Sequence, residues 1–183
     1  MSNCNYQEII DFWFNEGNKS LWFNSNPVFD AELKEEFEET YRAGCDDELS
    51  DWEQQPEGLL ALVLLFDQFP LNMYRGEEKS FSTEERSRLL AQKAIEKGWD
   101  KKLSDEKKAF LYMPFMHSEN LHDQDTGISL FEQAGLKDNA RFAHHHRDII
   151  QRFGRFPHRN SILNRENTEA EKNYLISGEA FLG

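Results

Sequence analysis

PEGLLALVLLFDQFP, residues 56–70, is apolar at every position from Leu59 to Phe66. A helix with no polar stripe has no face to offer water, so the segment is expected to be buried on all sides, as a central helix over 59–69. Pro56 suits its first turn. Eight apolar residues are too few to span a bilayer. Asp67 and Gln68 fall at the helix end, where a carboxylate opposes the helix dipole. Asp67 therefore calls for a cationic or hydrogen-bonding partner. Arg75, after the turn NMYRG, is one candidate, and the arginines after Gly154 are others.

Helices are also expected on both sides of this segment. Asn5 and Glu8 form a capping-box pattern ahead of Ile9, Ile10 and Trp13. Trp22 and Phe23 sit in the next loop, where an aromatic pair is expected to dock on the core. Asn26-Pro27 reads as N-cap and first helical residue, and Phe29, Leu33, Phe37 and Tyr41 then recur every four residues. Ser82 and Glu85 suggest a second capping box, with Leu89, Leu90, Ala94 and Ile95 inward. A helix from Ser104 meets Pro114, which should kink or end it. Another follows through Ile128 and Phe131 to Gly135, and Asn167 or Thr168 caps the last. The result is all-α, about eight helices with short Gly/Pro connections. The residues show no tetratricopeptide signature and no repeat period. Length suits a single all-helical domain over 1–183.

Composition limits the partners. A net charge of −13 disfavours nucleic acid and anionic membrane, both of which need basic surface. Cys4 and Cys45 form neither a disulfide framework nor a zinc pattern, which suits a reducing cytoplasm. MSNCNYQEII lacks the basic and apolar regions of a signal peptide.

FAHHHRDIIQRFGRFPHRN, residues 142–160, departs from this acidity. Residues 141–165 contain Arg141, Arg147, Arg152, Arg155, Arg159 and Arg165, no lysine, and Asp148 as the one acid, a local charge of +5. Arginine to the exclusion of lysine suits bidentate pairing with carboxylate or phosphate, inside the protein or on a ligand. At 100° per residue Phe142, His146, Ile149, Ile150 and Phe153 share one face. His146 is thus expected to be buried and His144 exposed, with His145 on the flank beside Arg152. Gly154 suits a helix C-terminus, and Arg155, His158, Arg159 and Asn160 follow on a loop fixed by Pro157.

Four blocks resemble one family: FWF at 12–14 with Trp22-Phe23, DQFPLNMYRG at 67–76, FLYMPFMHSEN at 110–120, and RFGRFPHRN at 152–160. The family is the one named domain of unknown function 924, and the resemblance spans nearly the whole chain. It implies an all-helical, tetratricopeptide-like array of stacked antiparallel pairs, and no activity. The family usually reads DQFPRN, and Leu71 stands where that arginine would be.

Three function classes fit these residues. A binding module would present Arg155, Arg159 and Arg75 to a small anion or an acidic peptide, with His158 and Asn160 donating hydrogen bonds. Asp67, Gln68, His117, Glu119, Gln124, His146 and Arg152 complete that candidate ligand set. An enzyme, of hydrolase type, would use His117 and Glu119 for proton transfer beside the arginines. A structural scaffold would pair every arginine internally. No cofactor motif is present: no P-loop, no dinucleotide-binding glycines, no G-x-S-x-G elbow. Glu119-x-x-His122 is half of a di-iron pattern without its other half, and HExxH is absent, so no metal is expected.

Overall fold

The computed structural model describes residues 4–181, which hold helices and turns and, among those residues, no strand. They group into two compact units. The first runs through Arg75 and resumes over Lys79–Pro114; the second holds Gly76–Glu78 and Phe115 onward.

In the first unit, α1 (Tyr6–Trp13) starts with the expected capping box. Asn5 Oδ1 accepts from the Gln7 and Glu8 amides, and Glu8 returns a bond to the Asn5 amide. α2 (Pro27–Cys45) is capped by Asn26, whose Oδ1 accepts from the Val28 and Phe29 amides at 3.0 Å each. Its four-residue repeat, Phe29, Leu33, Phe37 and Tyr41, is buried. α3 (Pro56–Phe66) is the centre of this unit. Leu59 through Phe66 are each at most 2% exposed, and α3 packs against α1, α2 and α5 (Glu84–Glu96).

α3 ends three residues sooner than expected, at Phe66, and α4 (Gln68–Met73) follows after a break at Asp67. Pro70 supplies the reason: it has no N–H to give the Phe66 carbonyl. Thr83 Oγ1 donates to that carbonyl instead, at 2.8 Å. The same bond explains why the expected Ser82–Glu85 box is absent. Thr83 holds the N-cap position but its hydroxyl is turned onto α3, so α5 begins with no side-chain cap. The α5 face that packs inward carries Ser87, Leu90, Ala91 and Ala94, which leaves Leu89, one residue out of phase, 51% exposed.

The aromatic residues close the other side. Trp13 touches the rings of Trp22, Phe69 and Phe110. Trp22 docks as expected, donating Nε1 to the Trp13 carbonyl. Phe23 lies parallel over Phe110 but stays 74% exposed. A Cβ on Gly58 would fall inside the contact radius of the Trp52 backbone oxygen. Backbone cannot swing aside as a side-chain tip can, so Gly58→Ala should cost about 2–3 kcal/mol. The check is the urea midpoint, with Gly178→Ala, which meets nothing, as the control.

α6 (Asp105–His117) runs three residues beyond Pro114, so the proline neither ends the helix nor stops it short of His117. In the second unit, Asn120 caps α7 (Leu121–Gln133), a turn at Gly135 (φ 73°) reverses the chain, and α8 (Lys137–Phe153) packs back along α7. The buried positions of α8 are Ala140, Ala143, His146, Ile149 and Ile150. Alanines on the first half let α7 approach closely. They also rotate the inward face away from Phe142, which is 51% exposed rather than buried. Gly154 (φ 71°) ends α8 in the left-handed conformation that glycine favours. A 3-10 turn at Pro157–Arg159 leads to α9 (Glu169–Leu175), which has a Thr168–Glu171 capping box. Among the described residues no helix is long and apolar enough to cross a membrane.

Candidate functional site

Asp67, Gln68 and Arg75 belong to the first unit; the other candidates belong to the second. Asp67 is buried and accepts a short bond, 2.5 Å, from Gln68 Nε2. Arg75 is not the partner of Asp67. Its guanidinium binds Asp30 (Nε to Oδ2, 2.8 Å) and Ser25, and Asn72 donates to the other oxygen of Asp30. Those bonds hold the Asp30 pKa below the usual carboxylate range against the opposing effect of burial.

The second unit gathers His117, Glu119, Gln124, His146, Arg155, His158, Arg159 and Asn160 around the Pro157 turn. Two arginine–carboxylate pairs frame them. Arg155 donates from Nε and Nη2 to the two oxygens of Glu171, at 2.7 and 2.8 Å, and from Nη2 to the Glu166 carbonyl. Arg165 grips Glu119 in the same bidentate way, at 2.7 and 2.9 Å, and its Nε donates to Asn160 Oδ1. Arg155 is therefore a bracket for a buried acid. Asn160, wholly buried, is likewise spent: its Nδ2 donates to Asn167.

Glu119 also accepts from the Phe156 amide at 2.8 Å. Burial would raise its pKa, but the Arg165 and Phe156 bonds outweigh it and lower the value. A carboxylate kept ionised in this way is poorly placed to exchange protons near neutrality. Gln124 is fully buried. Its Nε2 donates to the Met116 and Ser118 carbonyls at 2.7 Å each, which fixes the chain on both sides of His117.

The imidazoles differ from one another as helical phase requires. His144 is exposed and binds Glu132 at 3.0 Å; His145 is exposed; His146 is 6% exposed. His146 Nδ1 lies 2.8 Å from the Phe142 carbonyl. A carbonyl only accepts, so Nδ1 carries the proton and Nε2 the lone pair. Burial pushes the His146 pKa down to about 4 and that of His158 to about 3, so both are neutral at pH 7. The His158 ring lies 5.6 Å from Phe156 and 5.0 Å from Phe181, and its enclosed Nδ1 has no hydrogen-bond partner among the described residues. Arg159, 6% exposed, lies 4.7 Å over the Phe156 ring and donates Nη2 to the His117 carbonyl. Arg152 stands apart, over the Phe153 and Tyr174 rings. Among the described residues no three His, Cys, Asp or Glu side chains converge as a metal-binding group.

Glu171 and Arg165 were absent from the ligand set read from the sequence. Thr168-x-x-Glu171 is a capping-box signal, and it would have placed Glu171 at a helix start near the arginines. Nothing local singles out Arg165 as the partner of Glu119.

The fold and cluster define an all-helical protein with neutral imidazoles packed beside a buried guanidinium. The chain belongs to the family described as bacterial protein of unknown function (DUF924), whose model matches residues 9–179. A similar solved structure is the protein of unknown function ATU0120 from Agrobacterium tumefaciens. It has 38% sequence identity and a TM-score of 0.89, over 94% of this chain and 97% of that chain. No curated protein matches.

Proposed function

We propose that this is a cytoplasmic helical binding module for a small anionic ligand or the acidic tail of a peptide, without nucleic-acid or membrane partners. Its recognition face is His146, His158 and Arg159, not Arg155. The observation that carries this reading is His158, whose enclosed Nδ1 has no partner among the described residues, while burial and the neighbouring guanidinium of Arg159 hold the ring neutral. An incoming phosphate or carboxylate would supply the missing partner. It would also raise the pKa of both imidazoles, so binding would take up protons. A tetratricopeptide-like array, which the family resemblance implies, would suit such a face.

Inorganic phosphate and a panel of di- and tricarboxylates should raise the melting temperature in proportion to the logarithm of concentration, since they would bind only the folded state. Titration calorimetry at pH 6 in two buffers of different ionisation enthalpy should then give different apparent heats. His158→Ala and Arg159→Lys should remove the stabilisation. No stabilisation beyond that of chloride at matched ionic strength would eliminate the reading.

One observation favours a scaffold instead. Arg141, Arg147, Arg155 and Arg165 each pair with an acid of the protein, namely Asp138, Asp125, Glu171 and Glu119. That reading expects the anion panel to fail and the arginine variants to unfold. The acid–base enzyme reading loses Glu119 as a proton carrier and would rest on the imidazoles.

A further inference from the structure

A groove of about 460 Å³ runs between α8 and the C-terminal segment, away from the Pro157 turn. Its floor is apolar: Ile149 and Tyr174 are 2% and 4% exposed. Its walls carry Arg152, Asp148, Glu179 and His145. Four other arginines of the 141–165 run are bonded to carboxylates, as above. Arg152 makes no hydrogen bond or ion pair to any described residue, although Asp148 stands one helical turn before it. Asp148 and the Glu179 carboxylate are equally uncommitted among the described residues.

The aromatic rings account for this separation. The Arg152 guanidinium carbon sits 5.0 Å from the Phe153 ring centre and 5.4 Å from that of Tyr174. Attraction to the two ring faces holds the cation over the floor, without an ion pair to either acid. One groove thus holds a cation and two anions, kept apart and each with open hydrogen-bonding capacity. A simple anion would gain Arg152 but face two carboxylates. A simple cation would gain the carboxylates and leave the guanidinium unmatched. A molecule bearing both signs matches all three.

We infer that this groove is a second site, independent of the anion face, for a short zwitterionic peptide. The free carboxylate would meet Arg152 and the ammonium would lie toward Asp148 and Glu179, with the chain between them crossing the floor over Ile149 and Tyr174. The volume is within the range of small-molecule sites, roughly 300–1,000 Å³.

The test is a nitrogen–proton correlation titration of the full chain with leucyl-leucine, its N-acetyl derivative and its C-terminal amide. Saturable shifts are expected for Ile149, Tyr174 and the Arg152 Nε–H, with each blocked derivative at least tenfold weaker. Arg152→Gln should weaken leucyl-leucine about tenfold. Because Arg152 is exposed and unpaired, that variant should remain folded. The double variant Asp148→Asn/Glu179→Gln should narrow the gap between the free and N-acetylated peptides. Equal binding of the N-acetyl form to the wild type would overturn the inference, since the groove would then be a plain anion site. Shifts that do not saturate, or that map away from Arg152, would overturn it as well.

Discussion

Lowering the pH from 7 to 4 should unfold this protein, and His146 and His158 should supply most of the driving force. Burial depresses both pKa values in the folded state, to about 4 and about 3, against 6.5 for a free imidazole. Above pH 6.5 neither state binds the extra protons and nothing is lost. Below 6.5 the unfolded chain protonates while the folded one does not. Stability then falls by about 1.4 kcal/mol per pH unit for each histidine, until the folded pKa is reached. By pH 4 the two together should cost about 6 kcal/mol, comparable with the whole stability of a typical domain, about 5–15 kcal/mol. Urea midpoints between pH 7 and 4 measure the slope. His146→Leu and His158→Leu should each reduce it by about half, whatever they do to stability at pH 7. Assigned resonances of His146 and His158 that titrate near 6.5 in the folded protein would refute the burial argument.

The second large effect is at Arg155. The Glu171 side chain is 2% exposed, and the Arg155 bonds, with the Thr168 amide, hold its pKa down to about 2. Arg155→Ala would leave a buried carboxylate without its cation, which costs about 3–5 kcal/mol in comparable pairs. The Arg155 side chain is 27% exposed, so the loss should lie near the lower end, about 3 kcal/mol. Arg155→Lys should recover part of it, since an ammonium keeps the charge without the fork. Because the folded pKa of Glu171 is depressed, its contribution is complete above about pH 4.5. It is lost as the pH falls through about 2. The Arg155→Ala deficit should therefore be constant from pH 8 to 5 and shrink below. A variant that melts like the wild type would mean that the pair is not coupled to folding. That result would return Arg155 to the set of ligand candidates.

These two sites show which features of the chain were legible one-dimensionally. The caps at Asn5, Asn26 and Thr168, the buried run from Leu59 to Phe66, and the inward His146 opposite an outward His144 all follow from spacings of one helical turn. Side chains three or four residues apart meet in any helix, so neighbours in sequence suffice to specify them. Family membership, read from four short motifs, has the same local character.

Other features needed the fold. The break after Phe66 depends on Thr83, seventeen residues away, reaching the carbonyl that Pro70 leaves free. Phe142 and Leu89 lie outside the core because helix contact selected alanine-bearing faces one residue away from them. The arginine cluster is the clearest case. Counted between residues 141 and 165 it carries a surplus of +5, which suggested a ligand. Glu119 and Glu171, which neutralise Arg165 and Arg155, lie outside that window. The sequence by itself determined most of the helices, the caps at Asn5 and Asn26, and which imidazole of residues 144–146 is buried. Tertiary structure alone decided which charges are spent on the protein and which stay open. Ion pairs form by distance in space, and chain position does not encode that distance.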